Sequence, residues 1–119
     1  MSLEQDTRDL KQLMDERHRM FVESEGPVDK SDRDFFERVK KETSSMFALN
    51  TQWFEKAGGF VKNRHTSVHP NQVQSTHENI EMIILHSYYL DVHLKRFKEL
   101  YQSVHYVLDM MLNDIRNQT

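Results

Sequence analysis

Cysteine is absent. That excludes disulfides, thiolate-bound zinc, iron–sulfur clusters and a thiol nucleophile together, and it agrees with a reducing compartment. Glycine and proline are scarce, at three and two residues in 119. Turn formers are therefore too few for an all-β protein, and helix becomes the default. Long apolar runs are also missing. The longest is Met82-Ile83-Ile84-Leu85, far short of the roughly 20 residues that span a bilayer. The opening MSLEQDTRDL has no apolar signal core. The expectation is a cytoplasmic protein with no membrane association. There is no excess of basic charge either. The net charge is −3 with neutral histidines, which argues against a nucleic-acid partner.

What is present is periodic. A chain of 119 residues suits a single domain over 1–119. Leu3, Leu10, Leu13, Met14 and Phe21 share one helical stripe, which predicts a first helix from Leu3 to Glu23. Gly26 and Pro27 interrupt it. Ser31 has the hydroxyl of an N-cap, and Asp32 and Asp34 suit a positive helix start. Phe35, Phe36, Val39, Thr43, Met46 and Phe47 continue at helical spacing. Propensity weakens at Ser44, Ser45 and Asn50, which predicts a kink or split of this second helix near residues 44–50. Trp53, Phe54, Ala57, Phe60 and Val61 resume the stripe. Gly58-Gly59 lies inside it, where small residues would admit a neighbouring helix or merely weaken the segment. Residues 62–70 form a connector, and Pro70 suits the first turn of a third helix.

From Thr76 onwards the chain carries an a/d seam: Thr76, Ile80, Ile83, Ser87, Leu90, Leu94, Phe97, Tyr101, Val104, Leu108, Met111 and Ile115. One helix of that length would measure on the order of 60 Å, about twice a small domain. The back of the helix is apolar up to Val92 and polar from Lys95. A turn is expected between Asp91 and Lys95, giving helices over 71–91 and 94–117. The fold class that follows is all-α, an up-and-down four-helix bundle.

DFFERVK at 34–40, the single Trp53, VHP at 68–70 and HSYYLDVHLKRFKELYQSVHYVL at 86–108 resemble the YppE-like family. HLKRFKELYQSV at 93–104 is its most specific piece, and the likeness is weaker before residue 30. These are small bacterial proteins classed as a domain of unknown function. The resemblance implies a bacterial cytoplasmic helical bundle. It implies no enzyme activity and no ligand, so no catalytic residue is carried over.

Chemistry-bearing motifs are few. No P-loop, dinucleotide fingerprint or nucleophile elbow occurs. Di-iron bundles need Glu-x-x-His on two helices. The nearest stretch here is Asp15-Glu16-Arg17-His18, so catalytic, cofactor and metal residues are expected to be none. His86 and His93 lie seven apart, on the order of 10 Å along one helix face, whereas two ligands of one zinc each sit about 2 Å from the ion. A core-edge role is expected for both. His65 and His69 in the connector, and His77 beyond it, offer at most a loop site. Lys62 and Arg64, and Lys95, Arg96 and Lys98, belong to opposite ends of the third helix and read as solvated helix ends.

The stretch Met82–Val92 is apolar on nearly all sides. Either neighbouring helices cover it, or Leu85, Tyr88, Tyr89 and Val92 form an interaction face, since tyrosine combines large buried area with a polar tip. The expected function is a non-enzymatic protein-interaction or adaptor module. Its partner is another protein or a second copy of the chain. The alternative is a small-ligand or metal-binding bundle using His86 and His93.

Overall fold

The computed structural model describes residues 2–118 and contains four helices in chain order. They are α1 (Leu3–Glu23), α2 (Arg33–Lys62), α3 (Pro70–Tyr89) and α4 (Leu94–Asn117). Contacts fix their directions. Thr7 meets Trp53, Glu42 meets Tyr88, and along α1 and α4 Lys11 meets Asp109 while Phe21 stacks on Phe97. Each of α1/α2, α2/α3 and α1/α4 is therefore antiparallel, and the chain runs up and down through a bundle 47 × 27 × 20 Å in extent. α1 and α3 each touch the other three helices, whereas α2 and α4 do not meet. The cross-section is a rhombus with α1 and α3 on its short diagonal.

Leu10, Leu13 and Met14 of α1 are buried, with Leu3 and Phe21 partly so. α2 begins one residue later than its hydroxyl signal suggests. The Asp32 carboxylate, not Ser31, caps it, accepting from the backbone N–H of Asp34 (3.0 Å) and Phe35 (3.2 Å). A charged acceptor is the stronger cap. Ser31 instead donates its N–H and hydroxyl to Asp29, at 2.9 and 2.6 Å. These bonds, the hydroxyl's first, hold the Asp29 carboxyl below its usual value.

The break or kink expected near residues 44–50 is not found as a split, and α2 continues for 30 residues. Ser44 and Ser45 point to solvent. Asn50 is buried and spends its amide on another helix, donating to the His77 carbonyl at 2.9 Å. A polar side chain engaged this way does not compete for its own backbone. Gly58 and Gly59 serve no close approach, because a Cβ at either would have no heavy atom within 4 Å.

The seam of the C-terminal half is present and is interrupted where a turn was expected. Ile80, Ile83, Phe97, Val104, Leu108 and Met111 are fully buried. Between them α3 stops at Tyr89 and α4 starts at Leu94. Leu90 closes α3 in the left-handed region, φ 53°, with its N–H donating to His86 O at 2.8 Å. Leu94, nominally on the seam, is exposed. A second row on α4, Leu100, Val107 and Asp114, is buried as well.

Candidate functional site

Polar groups tie the helix ends together. At one end Asp114, 6% exposed, accepts from the N–H of Ser67 (3.1 Å) and Val68 (3.0 Å) and from the Ser67 hydroxyl (2.8 Å). One carboxylate thus holds the α2–α3 connector against α4. Nearby, the fully buried Asp6 meets Lys56 Nζ at 2.7 Å, and Trp53 Nε1 donates to Thr7 Oγ1 at 3.0 Å. At the other end Asp91, in the α3–α4 turn, lies 3.1 Å from Lys30 Nζ and 2.7 Å from His86 Nδ1. Burial disfavours the Asp91 charge, but the hydrogen bonds from His86 and Lys30 outweigh it and leave its carboxyl below the usual range.

Midway along the α1/α4 seam, Asp15 Oδ1 accepts from the Tyr101 hydroxyl at 2.5 Å and faces His105 Nε2 at 2.9 Å. His18 stacks on Tyr101 with 4.4 Å between centroids. Burial first, then the hydrogen bond and charge of Asp15, push the Tyr101 hydroxyl up to about 12. The geometry resembles a proton relay, yet the cluster sits on the outer surface with Asp15 half exposed. It joins two helices.

The two histidines singled out from the sequence take different places. His86 is committed to Asp91 through the bond above. His93 is exposed at the N-cap of α4, beyond the turn. Among the described residues no group of three or more His, Cys, Asp or Glu could hold a metal ion.

An apolar groove of about 450 Å³ lies between the first half of α2 and the end of α3. Phe36, Val39, Thr43 and Phe47 line one wall, and Leu85 and Tyr89 the other. Phe36 is 51% exposed and Leu85 40%. Two of the four expected interaction residues, Leu85 and Tyr89, are therefore at the groove. Tyr89 is steadied edge-on by Phe35, with centroids 5.6 Å apart. Tyr88 turns inward and is 4% exposed. Its hydroxyl donates to Glu42 at 2.9 Å and Arg17 lies over its ring. Burial, followed by the bond to Glu42, raises its hydroxyl pKa. Val92 lies half-buried in the turn.

The α2 wall escapes a reading by stripe alone. The signal was the pair Phe35-Phe36. Adjacent residues point about 100° apart on a helix, so both cannot face one core. Phe36 is the one left outside.

Such a molecule is an all-α, up-and-down four-helix bundle with an open apolar groove on one edge. No described helix is long and apolar enough to cross a membrane. Residues 7–115 match the family model described as a bacterial domain of unknown function, DUF1798. The chain belongs to that family. It is 32% identical over 95 residues to the uncharacterized protein YppE of Bacillus subtilis (strain 168), covering 79% of this chain and 77% of that protein. The crystal structure of YppE from Bacillus subtilis superposes with a TM-score of 0.84 at 27% identity, covering 98% of this chain and 94% of that one. The solution NMR structure of the same protein gives a TM-score of 0.81 over the same shares, and at 24% identity it speaks for the fold.

Proposed function

We propose that the protein is a cytoplasmic, non-enzymatic interaction module that receives a segment of a partner protein in the α2/α3 groove. The observation that carries this reading is an apolar depression flanked by two large, half-exposed hydrophobic side chains, Phe36 and Leu85. Single exposed apolar residues are ordinary, but a concave cluster of them favours a bound partner. Its size speaks for a segment over a second copy of the chain. Eight residues line the groove, while a standard protein interface engages roughly 20–30 a side. His86 and His105 each face a carboxylate, which supports a structural use of these imidazoles over a chemical one.

The test compares immobilised wild type with Phe36→Asp, Leu85→Asp and the control Val22→Asp, whose parent residue is 53% exposed on α1. A partner retained by wild type and control, lost from both groove variants, and binding one-to-one after purification is the expected result. Equal retention on all four proteins, with unchanged circular dichroism, removes the reading.

A further inference from the structure

We infer that the α3–α4 turn is a hinge that straightens, so that two copies of the chain exchange α4 and each carries one continuous helix from Pro70 to Asn117. Three observations lead there. The first is the sequence through the turn. Ser87, Leu90, Leu94 and Phe97 keep the a/d spacing across it, and after Pro70 the chain has neither glycine nor proline. No residue there forbids a helix. In the folded-back form the unbroken seam is partly wasted, because Leu94 lies on it and is 46% exposed.

The second is backbone strain at the bend. Leu90 takes φ 53° and ψ 36°, and it is the one positive-φ residue other than glycine among the described residues. The Cβ of a bulky residue makes this left-handed region costly, and glycine is its usual occupant. Straightening returns Leu90 to right-handed geometry and releases the strain.

The third is how lightly the bend is held. Asp91 meets His86 and Lys30 at the surface, and such exposed pairs contribute little. Val92 adds a half-buried contact with the core.

Topology then supplies the partner. α4 touches α1 and α3 but not α2. Leaving its place, it uncovers Phe97, Val104, Leu108 and Met111, all fully buried, so an open chain does not persist alone. The α1 and α3 of a second copy offer the same seat. Every contact of α4 is remade there between copies, including the bonds of Asp114 to Ser67 and Val68. A straight helix from Pro70 to Asn117 measures on the order of 70 Å. One bundle is 47 Å long, so that helix overhangs its own bundle and reaches into the next.

The test refolds the full chain from urea at low and high protein concentration and reads its mass by light scattering on a sizing column. The dimer share should rise with concentration during refolding. Leu90→Gly suits the left-handed bend and weakens a helix interior, and with two hinges per dimer it should lower that share at least about tenfold. The Asp91→Ala/Val92→Ala/His93→Ala variant loses the surface pairs and gains helix propensity, and it should raise the share. Exchange itself is read from a mixture of two single variants, Lys11→Cys and Asp109→Cys, whose parent side chains meet across α1 and α4 at 2.6 Å. The chain has no other cysteine. A bifunctional maleimide should join position 11 of one copy to position 109 of the other in the dimer.

A wild type that stays monomeric at every concentration overturns the inference, whatever the alanine variant does. A dimer indifferent to Leu90→Gly overturns it as well. So does a dimer that yields no link between positions 11 and 109, since two intact bundles are then in surface contact.

Discussion

The two ends of the bundle are fastened by different means. At the α2–α3 end the fastenings are buried: Asp114 receives a connector's N–H groups, Asp6 meets Lys56, and Trp53 reaches Thr7. At the α3–α4 end one inward bond, Tyr88 to Glu42, is joined by an exposed cluster. Lys30, Asp91 and His86 meet at the surface, and the groove beside them leaves Phe36 and Leu85 uncovered. Buried polar bonds are costly to break because the partner left behind loses water as well. Exposed ion pairs contribute little. The contrast teaches that the buried fastenings contribute most to the stability of the fold, while the exposed cluster contributes little.

Breaking the buried end should cost most. Trp53→Ala removes a fully buried indole and its bond to Thr7, and should lower unfolding free energy by about 3–5 kcal/mol in urea titration. Asp114→Ala strands the N–H groups of Ser67 and Val68 and should cost about 2–4 kcal/mol. Its counterpart at the open end, Asp91→Ala, should cost under about 1 kcal/mol. If the two aspartate variants lose equal stability, the contrast between the ends is wrong.

The comparison sharpens with pH. The Asp91 carboxyl lies below its ordinary value of 3.8 when folded. Its contribution is therefore complete above that value and fades as pH falls through the lower, folded one. The stability difference between wild type and Asp91→Ala should shrink on acidification over that interval. Tyr101 works in the other direction. Its hydroxyl is raised from 10.0 to about 12, so its stabilisation is complete below 10 and is lost as pH climbs towards 12. Tyr101→Phe should flatten part of the alkaline stability loss over that range. Smallest of all, Gly58→Ala should raise stability by about 0.4–1 kcal/mol, since the site has open space and lies inside a helix.

The well-read parts of the chain are those where burial and backbone chemistry agree. Leu3–Glu23 has one apolar stripe and a clear break after it, and its bounds are legible. Pro70 marks the start of α3 by its own geometry. The α3–α4 turn shows as a change on the back of the seam, because α3 packs against three helices while α4 keeps a solvent face. Elsewhere tertiary partners override local preference. Asn50 reads as a helix breaker until His77 accepts its amide, and Ser31 yields the cap to a neighbouring carboxylate. The groove is the least legible feature. It needs α2 and α3 side by side, and only its α3 wall lies within the stretch that draws attention as sequence. Tyr88 belongs to that stretch by composition and leaves it by rotation, since Arg17 and Glu42 cover it from two other helices.

Trp53 has a practical consequence. It is the chain's sole indole, fully enclosed, and anchored by its nitrogen to α1. Intrinsic emission therefore acts as a built-in gauge of whether α1 stays seated on α2. A red shift of that emission would therefore announce loosening of the bundle around α1 and α2.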